Sequence, residues 1–162
     1  MNRSKAEIVS EYGPFAGVES VHGVTHDGKR VWFASGDKLN AFDPATRAIQ
    51  RSIDVAAHAG TAFDGRYLYQ IAEDRIQKID PDNGRVLSSI PAPGNGNSGM
   101  AWAEGTLWVG QYRDRKIHQV DPETLKRFIE WIEREGFRRA NSRVFNDLNG
   151  RPAIELFRVE RK

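Results

Sequence analysis

The chain has no cysteine among its 162 residues, which excludes a disulfide framework and a thiolate metal site. No apolar run approaches the roughly 18 residues of a membrane helix. The opening stretch Met1-Asn2-Arg3-Ser4-Lys5-Ala6-Glu7 lacks the apolar centre of a secretory signal, so a cytoplasmic address and no membrane partner are expected. The sequence also lacks a Walker lysine, a His-Glu-x-x-His pair and a nucleophile elbow, and with them three common routes to catalysis.

A surplus of charge is missing too. Lys and Arg number 24 against 22 Asp and Glu, a net of +2. Residues 1–121 carry 14 basic against 15 acidic groups, and residues 122–162 carry 10 against 7. Such a small bias does not make the concentrated basic face of a nucleic-acid binder, and no nucleic-acid partner is expected. Arg134, Arg138, Arg139 and Arg143 would gather on one face only if the tail were helical.

What is present is repetition. Gly23-Val24-Thr25-His26-Asp27-Gly28 leads to Trp32 and Asp43-Pro44. Gly60-Thr61-Ala62-Phe63-Asp64-Gly65 leads to Tyr67, Tyr69 and Asp80-Pro81. Gly99-Met100-Ala101-Trp102-Ala103-Glu104-Gly105 leads to Trp108 and Asp121-Pro122. The glycines are offset by 37 and 39 residues and the Asp-Pro pairs by 37 and 41. A period of roughly 40 residues built from short strands is the signature of a propeller blade.

Each copy reads as four antiparallel strands. An acidic-Gly pair after the first short strand predicts a tight hairpin. The aromatic and β-branched second strands are Val31–Ala34, Tyr67–Ile71 and Thr106–Gly110. Polar turns follow at 35–37, 73–74 and 113–114. The third strands end at the Asp-Pro pairs, where proline removes a ladder donor. Fourth strands are expected over Ile49–Val55 and Arg85–Ile90. His26 and His118 read as strand-surface residues.

After Pro122 the pattern breaks. Leu125, Phe128, Ile129 and Ile132 fall on one helical stripe, Asp121 suits an N-cap and Gly136 a stop, predicting a helix over 122–135. Val144–Leu148 and Ala153–Val159 around Asn149-Gly150 predict a hairpin, with a second helix over 138–147 as the alternative. The fold class is therefore all-β with a C-terminal α+β appendage: a partial β-propeller of about three four-stranded blades over 1–121, then a helix and hairpin over 122–162. Three blades leave two sheet faces without a neighbour. Either the appendage covers them, or two chains join head-to-tail about a two-fold axis into a six-bladed ring. The homodimer is the favoured reading.

The segments 23–32, 60–69 and 76–86 resemble YVTN/NHL-type β-propellers, and within that set the glutamine cyclotransferase-like and virginiamycin B lyase-like proteins. The likeness covers about residues 10–123. It implies a ligand site over the central channel; the lyase-like enzymes use histidine and glutamate with magnesium, a constellation that has no match here, residue by residue.

The loops that enter the innermost strands place His22, His58, Asn97 and Ser98 at equivalent positions around one axis. Imidazoles converging there would bind a divalent metal or act as acid–base groups; otherwise no cofactor is expected. Solvated loop residues are the competing reading. Gln111, Tyr112 and Arg113, in the loop after a second strand, are further candidates for contacting a small molecule or peptide. Gly94-Asn95-Gly96-Asn97-Ser98-Gly99 spells the dinucleotide fingerprint, but a hairpin pattern and not a helix follows it, so it is not read as a pyrophosphate site. The sequence favours a binding or assembly module without catalysis. The alternative is a glutaminyl-peptide cyclotransferase-like or lyase-like enzyme with its site at the channel.

Overall fold

The structure, a computed structural model, describes residues 6–123, 133–146 and 152–161. The chain divides into two compact units, Met1–Asp121 and Pro122–Lys162.

The first unit contains three antiparallel sheets, each a simple up-and-down run. The first sheet comprises β1 (Val24–His26), β2 (Val31–Ala34), β3 (Gly36–Asp43) and β4 (Ala48–Ala57). The second comprises β5 (Thr61–Phe63), β6 (Leu68–Ala72), β7 (Arg75–Ile79) and β8 (Val86–Pro91). The third has three strands, β9 (Asn97–Ala103), β10 (Thr106–Gln111) and β11 (Lys116–Val120). Among the described residues no fourth strand joins it.

Because side chains alternate across a strand, each sheet has a leading face toward the preceding sheet and a trailing face toward the next. Trp32, Ala34, Leu39 and Ala41 on the trailing face of the first sheet pack against Leu68 and Ile79 on the leading face of the second. Tyr69, Ile71 and Ile76 on the second sheet's trailing face meet Leu107 and Val109 of the third, and Tyr69 stacks on Trp102 with centroids 5.6 Å apart. These two apolar seams are the core.

The acidic-Gly pairs do not all make the tight hairpin expected of them. His26 pairs with Val31 and Phe63 with Leu68, so Asp27 and Asp64 each open a four-residue loop. Asp27 Oδ1 accepts from the backbone N–H of Lys29 and Arg30, and Asp27 Oδ2 from Trp32 Nε1 at 2.7 Å. Asp64 repeats this with Arg66, Tyr67 and the Tyr69 hydroxyl. The carboxylate closes the loop and fixes the aromatic of the next strand. Only Glu104-Gly105 is a two-residue turn, joining Ala103 to Thr106 with φ of 54° and 75°. Trp108 then falls one residue too close to use the acid, and its buried indole N–H has no partner among the described residues.

The Asp-Pro pairs end their strands as expected. Asp43 Oδ1 accepts from Ala45 N–H and Asp80 Oδ1 from Asp82 N–H, each turning the chain into the last strand of its sheet.

Residues 6–22 carry no regular secondary structure, yet part of this segment covers the leading face of the first sheet. Phe15 stacks on Phe33 at 4.9 Å and meets Phe42 edge-on at 5.1 Å, and Tyr12 meets Phe42 at 5.0 Å. Phe33 and Phe42 are buried as a result.

In the second unit β12 (Phe137–Asn146) pairs antiparallel with β13 (Pro152–Arg161). The hairpin is longer than the sequence pattern indicated. It replaces the alternative helix over 138–147, and Arg138, Arg139 and Arg143 lie on a strand, so no helical basic face forms from them. The helix expected over 122–135 falls mostly outside the described residues; residues 133 and 134 are helical, and Gly136 follows at φ 84°. No helix among the described residues is long and apolar enough to cross a membrane.

Candidate functional site

Three places in the first unit carry chemistry. The first is the rim where the innermost strands begin. His22 N–H donates to Ala34 O and His58 N–H to Ile71 O, so both histidines occupy the same station on successive sheets. Both are exposed. His22 Nε2 lies 2.8 Å from Ser20 Oγ. No hydrogen bond joins either ring to the other candidates among the described residues.

The candidates from the third sheet do come together. Gln111, buried, donates from Nε2 to Pro93 O at 3.0 Å and to Asn95 O at 2.8 Å. Its Oε1 accepts from His118 Nε2 at 3.1 Å. His118 is thus half-buried on the leading face and part of the cluster, not a plain surface residue. Asn97 donates from Nδ2 to Gly94 O, Ser98 Oγ donates to Gly110 O, and Tyr112 N–H donates to Gly96 O. Gln111 therefore works as the peg of the 93–96 loop, while Tyr112 and Arg113 stand exposed beside it. The fingerprint-like glycines lead into β9, a strand, which leaves no helix N-terminus for a pyrophosphate. Among the described residues no three His, Asp or Glu side chains gather as metal ligands.

The second place is the trailing face of the third sheet. Register aligns Leu39, Ile76 and Ile117, which sit opposite Ala34, Ile71 and Gly110. Leu39 is 0% exposed, Ile76 1% and Ile117 75%. The glycines that open each copy behave in the same way. A Cβ on Gly23 would collide with Ala59 O and with Thr61 N, and one on Gly60 with the backbone of Gly99 and Met100. A Cβ on Gly99 would meet no atom within 4 Å. None of the three has a positive φ, so close approach of the next sheet is what requires glycine at 23 and 60. At 99 the glycine is there, and no strand among the described residues of the first unit packs against it.

The third place escaped the sequence reading. A cavity of about 600 Å³ lies between residues 16–20 and the first sheet, with Ser35, Asn40 and Ser52 in its wall. Asn40 is buried; it donates from Nδ2 to Ser35 Oγ at 2.8 Å and accepts from Ser52 Oγ at 2.7 Å. A polar residue one step out of phase between Leu39 and Ala41 is the signal that could have found it.

Strand order, sheet-to-sheet packing and the repeated loops define the architecture, and comparison with solved structures agrees. The chain is similar to Myxococcus xanthus glutaminyl cyclase at 13% identity, with a TM-score of 0.56 over 68% of this chain and 56% of that one. It is similar to Kuenenia stuttgartiensis hydrazine synthase at 20% identity, with a TM-score of 0.53 over 69% of this chain and 37% of that one. Both neighbours are propeller-like. This chain is a partial β-propeller. It spans about half the length, or less, of the solved chains it matches. No family model matches the sequence, and no curated protein matches it. The three sheets of the first unit are the propeller's blades, and the innermost strands β1, β5 and β9 line its axis.

Proposed function

We propose that this partial propeller is an assembly and binding module that completes a six-bladed ring as a homodimer, the third blade of each copy leaning on the first blade of the other. One observation carries the reading: Ile117 is 75% exposed where its equivalents Leu39 and Ile76 are sealed. Fully burying such a side chain contributes about 1.5–3 kcal/mol, and two symmetric seams would bury it twice. Gly99 supports the same reading, because a strand docking there would need the room that glycine leaves. Light scattering at tens of micromolar should return twice the 18.3 kDa of one chain. A monomer at that concentration overturns the reading. Ile117→Asp should shift the dimer to monomer without unfolding it.

The similarity to a glutaminyl cyclase favours a second reading, an enzyme that cyclises an N-terminal glutaminyl peptide at the channel of the assembled ring, with His22 and His58 as acid–base or metal-binding groups. Turnover of such a peptide, with and without added divalent metal, tests it. Activity that survives His22→Ala with His58→Ala removes both roles.

A further inference from the structure

We infer that the cavity on the first blade is the socket for the basic β10–β11 turn of a second copy, which would fix the direction and register of the seam. The inference rests on the head-to-tail dimer proposed above and names the groups that would specify it.

Topology places the two parts at the same level. The connection between β2 and β3, at Ser35, borders the cavity; the turn between β10 and β11, at residues 112–115, is its counterpart on the third blade. When the trailing face of one copy's third blade meets the leading face of another's first blade, these turns come together on one rim.

Charge then distinguishes them. Glu19 and Asp37 line the cavity, and neither makes an ion pair among the described residues. The one lysine there, Lys38, already faces Asp54, with Nζ 3.9 Å from Oδ1. Across the seam the turn offers Arg113, Arg115 and Lys116 against the single Asp114, all exposed and none in an ion pair among the described residues. Tyr112, 80% exposed, heads the turn, and Ile117 follows it directly. An aromatic and arginines beside an apolar anchor are the residue types that dominate protein interfaces.

The cover on the first blade leaves the right opening. Tyr12 and Phe15 occupy the half of the leading face around Phe33 and Phe42. Asn40, paired with Phe33 across β2 and β3, and Ser52 stand with Ile49 in the cavity wall, which no aromatic ring among the described residues lines. A protruding turn fits such an opening.

Sedimentation equilibrium on four proteins tests this: the native chain, Arg113→Glu with Arg115→Glu, Glu19→Lys with Asp37→Lys, and all four changes together. Opposed charges across a seam give specificity through such pairs. Each reversed pair should weaken self-association at least tenfold, and the combined protein should recover most of the loss. Raising salt from 50 to 500 mM should weaken the native dimer and narrow the differences in self-association among the four proteins. A native dimer indifferent to both reversals, or one that both weaken without recovery on combination, overturns the socket while leaving the dimer standing. A native chain that is monomeric overturns the dimer itself, and the socket with it.

Discussion

The indole N–H of Trp32 donates to Asp27 Oδ2 at 2.7 Å, tying the second strand of the first blade to the loop that precedes it. Burial raises the pKa of Asp27, but the bonds from Trp32, from the Arg30 and Lys29 backbone and from the Arg30 guanidinium outweigh it and hold the carboxyl at about 2. A depressed folded-state pKa contributes stability that is present above the unfolded value of 3.8 and is lost as pH falls through the folded one. The shift corresponds to about 2 kcal/mol. Asp27→Asn should therefore lower unfolding free energy at pH 7 by about 1–2 kcal/mol. The gap between variant and native chain should close between pH 4 and pH 2 in urea titrations. A gap that stays constant over that interval would show that the charge on Asp27 is not what stabilises the loop.

Three glycines with one sequence role have unequal surroundings, and this gives a sharp comparison. Gly60→Ala forces a methyl into the backbone of Met100. Overpacking of this kind costs about 1–3 kcal/mol, more where backbone must move. Gly99→Ala meets no atom of the described residues within 4 Å and should leave protomer stability within about 0.5 kcal/mol. It should nonetheless weaken self-association, since the methyl would meet the incoming strand. Thermal melts and sedimentation on both variants check the pair of outcomes. Equal losses of stability at 60 and 99 would mean that the trailing face of the third blade is already covered.

Much of this arrangement is legible in the sequence because its causes are local. Alternation of Leu39 with Ala41, the aromatics at 32, 69 and 108 and the Asp-Pro stops depend on residues a few positions apart, and they place three sheets correctly. The four-residue loops after Asp27 and Asp64 are less legible. The acid-Gly pair is compatible with two loop lengths, and only the indole or phenol reached by the carboxylate selects the longer one. Asn40 and Gln111 stand out in the sequence only as polar residues at strand positions; the bonds they make are not legible. Their partners Ser52, Pro93 and Asn95 lie 12 to 18 residues away, and nothing in a two-residue period announces that a strand position faces a polar neighbour. Among the site candidates, spacing gives His22 and His58 a shared station on their blades but not a shared ligand; that depends on the axis, which needs the whole ring.

Gln111 holds the 93–96 loop through two donated bonds, which makes its amide, and not its size, the decisive feature. Gln111→Glu keeps the volume but sets a carboxylate against the carbonyl oxygens of Pro93 and Asn95. Leaving these part-buried acceptors unpaired costs up to about 1 kcal/mol each, and a charge set against them costs more. Gln111→Glu should therefore destabilise more than Gln111→Met, with both releasing the loop. Amide hydrogen exchange should rise at Asn95, Gly96 and Tyr112 while β6 and β7 keep their protection. Exchange that rises evenly across the third blade would assign Gln111 a general packing role in place of a local one.

The rings of Tyr12 and Phe15 pack on Phe33 and Phe42, two large apolar residues on the leading face of the first sheet. Phe15 touches both, Tyr12 only Phe42, and the Arg47 guanidinium 5.9 Å from the Tyr12 ring holds that residue from outside. Phe15→Ala removes a half-buried ring and two aromatic pairs, each worth about 0.5–1.5 kcal/mol beyond area burial, so a loss of about 2–3 kcal/mol is expected. Tyr12→Ala should cost about 1 kcal/mol, because the ring is exposed on its other side. If the segment is a cover, Phe15→Ala should also open residues 6–20 to protease and raise dye binding at the bared face, both measured below the melting temperature. A variant that loses stability but shows neither change would place the ring in the core proper and make residues 6–22 an integral part of the first blade.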